Sequence, residues 1–251
     1  MNPYIQNLER IEFVITYTCS GRCKHCSEAD HYVTSDHING DTAAEMIFKT
    51  AEAYPIKSLM TFGGEPLLYP ESVYKIQVAA RKIGIPKRQL ITNGFFSQNT
   101  EKIRFVAQSL VENGVNDILL SVDAFHQETI PITPVITFAK AAIEAGVPEL
   151  RVHPAWLVDA EADNPYNHKT REILSIFQDL GITVSDGNVI FPSGNALKYL
   201  KDYFDSDTPR ISPYAENPQD IRTICVAPNG DVLGGNIYKN DILEILANYK
   251  P

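Results

Sequence analysis

A mostly parallel α/β fold is what this 251-residue sequence predicts. Two observations carry the reading: short β-rich runs alternate with segments of helical period, and those segments are punctuated as helices are. The β-rich runs are RIEFVITY, IKSLMTF, KRQLIT, DILLSV, ELRVHPAWLV and GITVSDGNVIF. Between them stand DTAAEMIFKTAEAY, PESVYKIQVAARKIG, NTEKIRFVAQSLVENG, ITPVITFAKAAIEAG and NHKTREILSIFQDLG. Several of these open at an Asp or Asn cap or a Pro, and several close on Gly. Six strands alternating with helices make a parallel sheet with right-handed crossovers. A partial barrel and a doubly wound sheet both satisfy that pattern.

After Phe191 the rhythm stops. SGNALKYLKDYF reads as one helix, and DSDTPRISPYAENPQD as a polar loop. TICVAPNGDVLGGN carries two short β-like pieces around Pro-Asn-Gly-Asp, a hairpin signal. NDILEILANY closes as a short amphipathic helix. The expected division is a core over residues 1–191 and a C-terminal capping extension over 192–251, made of a short β-hairpin and a helix.

Composition narrows the function classes. An apolar share of 44% fits one core domain with an appendage. A net charge of -9 disfavours nucleic-acid binding through a basic surface. Every apolar run is interrupted long before it could span a bilayer, and MNPYIQNLERIEF lacks the pattern of a signal peptide. The expectation is a cytoplasmic protein with no membrane partner. Four cysteines, three of them clustered, point to metal rather than to a disulfide framework.

The cluster is TYTCSGRCKHCSEAD, directly after the first strand, with Cys19, Cys23 and Cys26 spaced C-x3-C-x2-C. Loops at the C-terminal ends of parallel strands are where such folds build sites. Three thiolates suit a zinc ion completed by His25 or His31. They equally suit a four-iron cluster with one iron left open. Simple packing is the weaker explanation, because Gly, Lys and Ser surround these thiols. The next three strands also end in polar signatures: Gly63-Gly64-Glu65, Thr92-Asn93-Gly94 and Ser121-Val122-Asp123. Each alone could be ordinary turn chemistry. Four in succession are not.

Together these motifs resemble the radical S-adenosylmethionine (SAM) enzymes, over about residues 10 to 190. The resemblance implies a partial (β/α)6 barrel and two cofactors, a [4Fe-4S] cluster on Cys19, Cys23 and Cys26 and SAM chelating the open iron. It places His25 near the adenine and the Gly63-Gly64-Glu65 turn at the SAM ammonium, with Glu65 as an acceptor. Asn93, Ser121 and Asp123 complete the SAM contacts. Reductive cleavage of SAM would then give a 5′-deoxyadenosyl radical that abstracts hydrogen from a substrate. A flavodoxin- or ferredoxin-like electron donor is implied, with Arg22 and Lys24 the local basic candidates for meeting it.

On the substrate side, His126 follows the Ser-Val-Asp motif and is the candidate proton donor or acceptor. His153 and Trp156 read first as core or rim residues. CVAPNGDVLGGN resembles the start of the auxiliary-cluster extension (SPASM or twitch) of a large subgroup, but Gly234 and Gly235 stand where its next cysteine belongs. One thiol holds no second cluster, so Cys225 reads as a buried structural cysteine or a vestige. The expected substrate is a peptide, a protein side chain or a small natural product. Two alternatives stand beside this. One is an activase that installs a glycyl radical on a partner protein, although LLSVDAFH lacks the Asp-x-Lys usual there. The other is a zinc- or iron–sulfur-binding sensor without turnover.

Overall fold

The chain is described by a computed structural model over residues 2–28, 36–205, 212 and 214–251. Its β-strands come where the alternation places them: β1 (Arg10–Val14), β2 (Ser58–Phe62), β3 (Lys87–Thr92), β4 (Asp117–Ser121) and β5 (Glu149–His153). The crossovers carry α1 (Gly40–Ala53), α2 (Pro70–Lys82), α3 (Thr100–Glu112) and α5 (Ile132–Glu144). A four-residue helix, α4 (Ala124–Gln127), turns the chain straight after β4. Caps act as the sequence suggests: Asn39 accepts from the amides of Asp41 and Thr42, and Asn99 from that of Lys102.

Alternation along each strand sorts the side chains into two layers. Ile11 and Phe13 of β1, Leu59 of β2, Leu90 of β3 and Leu120 of β4 join one buried cluster with Ile47, Ile76, Val106 and Phe138 of the covering helices. The opposite face of the strands lines the concave interior. There Val14, Phe62 and Ile91 form an apolar layer of a cavity. Nearer the strand starts the same face is polar. Arg10 Nε donates to Glu12 at 2.6 Å, and its Nη1 donates to Gln89 Oε1 at 2.8 Å. Gln89 Nε2 in turn donates to Asp117 Oδ2 at 2.8 Å, and Arg151 donates to Asp117 Oδ1 at 2.6 Å. These bonds tie β1, β3, β4 and β5 together and give the buried Asp117 carboxylate a cationic partner.

The fifth and sixth β-rich runs are both broken in two. Pro154 interrupts the first, giving β5 and then β6 (Ala155–Trp156). Asp186-Gly187 interrupts the second, giving β7 (Thr183–Val184) and β8 (Asn188–Val189). β7 pairs with β5, whereas β6 and β8 form a separate parallel pair. Helix α6 (Pro165–Asp179) lies between. Proline has no amide hydrogen for a ladder, which is why a run containing it cannot continue as one strand.

The larger correction concerns the tail. TICV is not one arm of a hairpin. It is β9 (Thr223–Val226), and it pairs in parallel with β1 in the register Ile11 to Ile224 and Phe13 to Val226. The main sheet therefore has seven strands in the order β7-β5-β4-β3-β2-β1-β9, all parallel. Its edges β7 and β9 are not bonded to each other, so this is a partial barrel. The hairpin comes one step later, as β10 (Asp231–Val232) against β11 (Gly235–Asn236). Leu233 and Gly234 turn it with positive φ, the primed-turn conformation that Asn-Gly was expected to supply. SGNALKYLKDYF also divides, into α7 (Gly194–Tyr199) and a single 3-10 turn. The last helix, α8 (Ile242–Asn248), is pinned to the start of the chain by Asn2 Nδ2, which donates to the carbonyls of Leu246 and Tyr249. No helix among the described residues is long and apolar enough to cross a membrane.

The place of β9 in the main sheet is testable. Ile224 is fully buried, so Ile224→Ala should lower unfolding stability by about 2–5 kcal/mol in urea denaturation. A loss of only a few tenths would mean that this strand is a peripheral arm.

Candidate active site

The strand ends converge on a cavity of 490 Å³. Cys19, Cys23 and Cys26 line it together with Gly63, Gly64, Asn93, Ser121, Asp123, His25 and His126. Of the eleven expected cluster, SAM and catalytic residues, only Glu65 is missing from its walls. His31 lies outside the described residues.

The cysteine loop is fixed from three sides. From β2, the amides of Gly64 and Glu65 donate to the carbonyls of Thr16 and Thr18 at 2.7 and 2.9 Å. A Cβ on Gly64 would stand 2.1 Å from the Thr18 oxygen, and one on Gly63 would stand 2.6 Å from that of Thr16. Glycine is required because backbone lies against backbone. From the turn after α4, Thr129 accepts from the Arg22 amide at 3.0 Å, and Lys24 pairs with Glu128 at 3.0 Å. From α7, the Asn195 amide donates to the Cys26 carbonyl at 2.9 Å, and its side chain to that of Cys23.

Glu65 was expected to accept from a ligand ammonium. Instead it is fully buried. Its oxygens accept from the Leu67 amide at 2.9 Å, Thr92 Oγ1 at 2.7 Å and the Asn93 amide at 2.9 Å. The carboxylate thus clamps the end of β3 to the turn after β2. Burial pushes its carboxyl up to about 7, against the pull of those three donors. The clamp in turn orients Asn93, whose Nδ2 reaches Ser20 Oγ at 3.2 Å and Cys19 Sγ at 3.5 Å.

Asp123 lines the cavity but is also committed. It accepts from the His126 amide at 2.9 Å, the Ala155 amide at 3.0 Å and His126 Nδ1 at 2.8 Å. Burial alone would raise its carboxyl, but the His126 pairing and the nearby His25 overcome that and hold it below the ordinary carboxylate range. With Nδ1 turned to Asp123, His126 keeps Nε2 for the cavity. His25 stands beside it, ring centroids 4.9 Å apart, and packs on Phe125 at 5.1 Å. Burial pushes the His25 imidazole down to about 4, and its Nδ1 is buried without a partner.

Sequence reading undervalued three residues. His153 lines the cavity, its Nδ1 2.8 Å from Ser185 Oγ. Cys225 was expected to be buried; it is exposed into the cavity, because alternation in β9 turns Ile224 and Val226 to the core and Cys225 inward. Tyr214 lines the same space from a segment with no periodic signal. Trp156 is core, its Nε1 donating to the Asp186 carbonyl at 2.7 Å.

The residues fit an iron–sulfur cluster with SAM. Three thiols of one loop, none in a disulfide, line one cavity. Burial pushes Cys19 up to about 11 and raises Cys23 as well, so iron must displace their protons on binding. Among the described residues no hydrogen bond is made to the carbonyls of Gly63 and Gly64. Both lie in the wall, ready for the donors of an ammonium group.

The family model for the Radical SAM superfamily matches residues 13–196, and the chain belongs to that superfamily. Enzymes of that superfamily use a [4Fe-4S] cluster and SAM, the pair that this cavity's residues fit. A probable GTP 3',8-cyclase of Methanocaldococcus jannaschii is 25% identical over 155 residues, 59% of this chain and 50% of that protein. A GTP 3',8-cyclase of Chlorobaculum tepidum is 24% identical over 49% of this chain and 35% of its own length. The chain thus spans half or less of these curated relatives. Among solved structures, Streptococcus suis SuiB bound to S-adenosylmethionine matches 97% of this chain and 66% of its own, with a TM-score of 0.61 at 12% identity. Native anSMEcpe with bound AdoMet matches 95% and 80%, with a TM-score of 0.59 at 15% identity. These two likenesses establish the fold.

Two substitutions test the scaffold. Glu65→Gln turns one acceptor into a donor facing the Asn93 amide, so a cost of about 1–3 kcal/mol in chemical denaturation is expected. Gly64→Ala forces the cysteine loop off its anchor. The expected result is poor retention of iron after reconstitution, measured per chain, with secondary structure unchanged by circular dichroism.

Proposed function

We propose that this chain uses one [4Fe-4S] cluster to generate a 5′-deoxyadenosyl radical that abstracts hydrogen from a peptide or a small natural-product substrate. The observation that carries this is the convergence of three thiols of one loop and the unpaired carbonyls of Gly63 and Gly64 on a single cavity. When bound and reduced, the cluster supplies an electron that cleaves the SAM sulfonium.

The chain's own residues do the rest. Cys19, Cys23 and Cys26 hold three irons, and the carbonyls of Gly63 and Gly64 accept from the SAM ammonium. His25 flanks the adenine. Asn93 and Ser121 offer polar atoms to the amino acid or ribose portion, while Asp123 acts by holding His126. His126 Nε2 exchanges a proton with the substrate. The apolar layer of Val14, Phe62 and Ile91 keeps water from the deep end of the cavity.

A peptide substrate is supported by related folds solved with peptides, SuiB bound to precursor peptide SuiA and anSMEcpe with Cp18Cys peptide. The electron comes from a flavodoxin- or ferredoxin-like donor in the cytoplasm. Four cysteines outside any disulfide fit that reducing compartment. Such a donor meets a loop whose Arg22 is spent on the carbonyls of Cys19 and Gly21 and whose Lys24 is paired with Glu128.

The test is anaerobic reconstitution with iron and sulfide, then SAM and dithionite, with 5′-deoxyadenosine read by mass spectrometry. Wild-type protein should produce it, and Cys23→Ala should not. Equal yields from both, or none from wild type with a fully assembled cluster, would overturn the reading.

A further inference from the structure

Around Cys23 the cavity gathers a second donor set, different from the cysteine triad. One ligand atom each from Cys23, His25 and His126 lies within 4.8 Å of the other two. Cys19 and Cys26 are not part of this group. Two further observations mark it as a metal site. His25 Nδ1 is buried with no hydrogen-bond partner, a state that costs free energy until something binds it. His126 has its Nδ1 on Asp123 Oδ2 at 2.8 Å. That is the carboxylate–imidazole–metal arrangement, in which the carboxylate fixes the tautomer and aims the other nitrogen at the ion. Asp123 is itself immobilised by the amides of His126 and Ala155.

We propose that the cluster-free chain binds one zinc ion through Cys23, His25 and His126, with the fourth position open to the cavity. One thiolate and two neutral imidazoles suit zinc, and they do not suit magnesium or calcium, which take oxygen ligands. Binding releases the Cys23 thiol proton to solvent and changes no oxidation state. Cys23 serves one centre at a time, so zinc and the iron–sulfur cluster exclude each other. Zinc is then a competitor of cluster assembly at this site, and one that leaves Cys19 and Cys26 uncoordinated. The proposal goes beyond the radical reading and does not depend on it.

The experiment is a cobalt titration of the full chain, metal-free and reduced under anaerobic conditions, followed by displacement with zinc. One equivalent of cobalt should give a thiolate charge-transfer band together with visible bands of a tetrahedral ion. Cys19→Ala should keep both. His25→Ala and His126→Ala should each weaken binding at least about 10-fold, and Asp123→Asn about 10–100-fold through the lost support of His126. His126→Gln, close to the native side chain in size, repeats the test should the alanine variant unfold. Loss of the charge-transfer band in folded Cys19→Ala, with affinity unchanged in His126→Ala, would put the ion on the cysteine triad and overturn the proposal. Iron–sulfur absorbance of reconstituted His126→Ala reads the triad separately, and a normal cluster is expected there.

Discussion

Everything at this site hangs on one contact, in which the backbone after β1 lies directly on the backbone after β2. The Gly64 and Glu65 amides reach the Thr16 and Thr18 carbonyls, and a gap of 2.1 Å to a Cβ at position 64 leaves room for nothing but hydrogen. Two hydrogen bonds of this kind are modest in net energy. Their value lies in geometry, because Cys19 follows Thr18 directly and inherits its direction. The same contact occupies the amides of Gly64 and Glu65 and leaves the glycine carbonyls for a ligand.

Buried carboxylates extend that order from strand to strand. Glu65 links the ends of β2 and β3, and Asp123 links the end of β4 to the start of β6. Each commits three of its roughly four acceptor sites within the fold, and each delivers a neighbour that faces the cavity. Glu65 delivers Asn93, and Asp123 delivers His126. An unpaired charge buried this deeply would be far more costly than the bonds it makes. Partners explain why acidic residues can stand at these positions at all.

Much of this was legible in the sequence. The first five strands and their crossovers follow from alternation and capping, and ten of the eleven expected site residues line the cavity. The failures have physical causes. Glu65 was misread because a strand-end carboxylate looks the same whether it meets a ligand or the next strand's amides. The broken runs at Pro154 and Gly187 were misread because hydrophobic pattern survives a kink that hydrogen bonding does not. TICV was misread because its partner β1 lies more than two hundred residues upstream, whereas Pro-Asn-Gly-Asp is local. Long-range pairing leaves no local mark beyond alternation, and alternation does not name the neighbour.

That last misreading bears on the chemistry. Once TICV is a strand beside β1, its register sets Cys225 against Glu12 on the inner face, and the cavity gathers a fourth thiol. The surroundings decide what that thiol can do. Burial, then Glu12 and Glu28, push it up to about 12. It is protonated at neutral pH and makes a poor nucleophile. One cysteine also cannot hold a cluster, and Gly234 and Gly235 supply no second one. The three thiols on the β1 loop are less exposed than Cys225 but have each other, so an iron–sulfur core can offset their deprotonation with several bonds at once. The difference between Cys225 and the triad is therefore the number of partners within reach. That number limits this cavity to a single cluster.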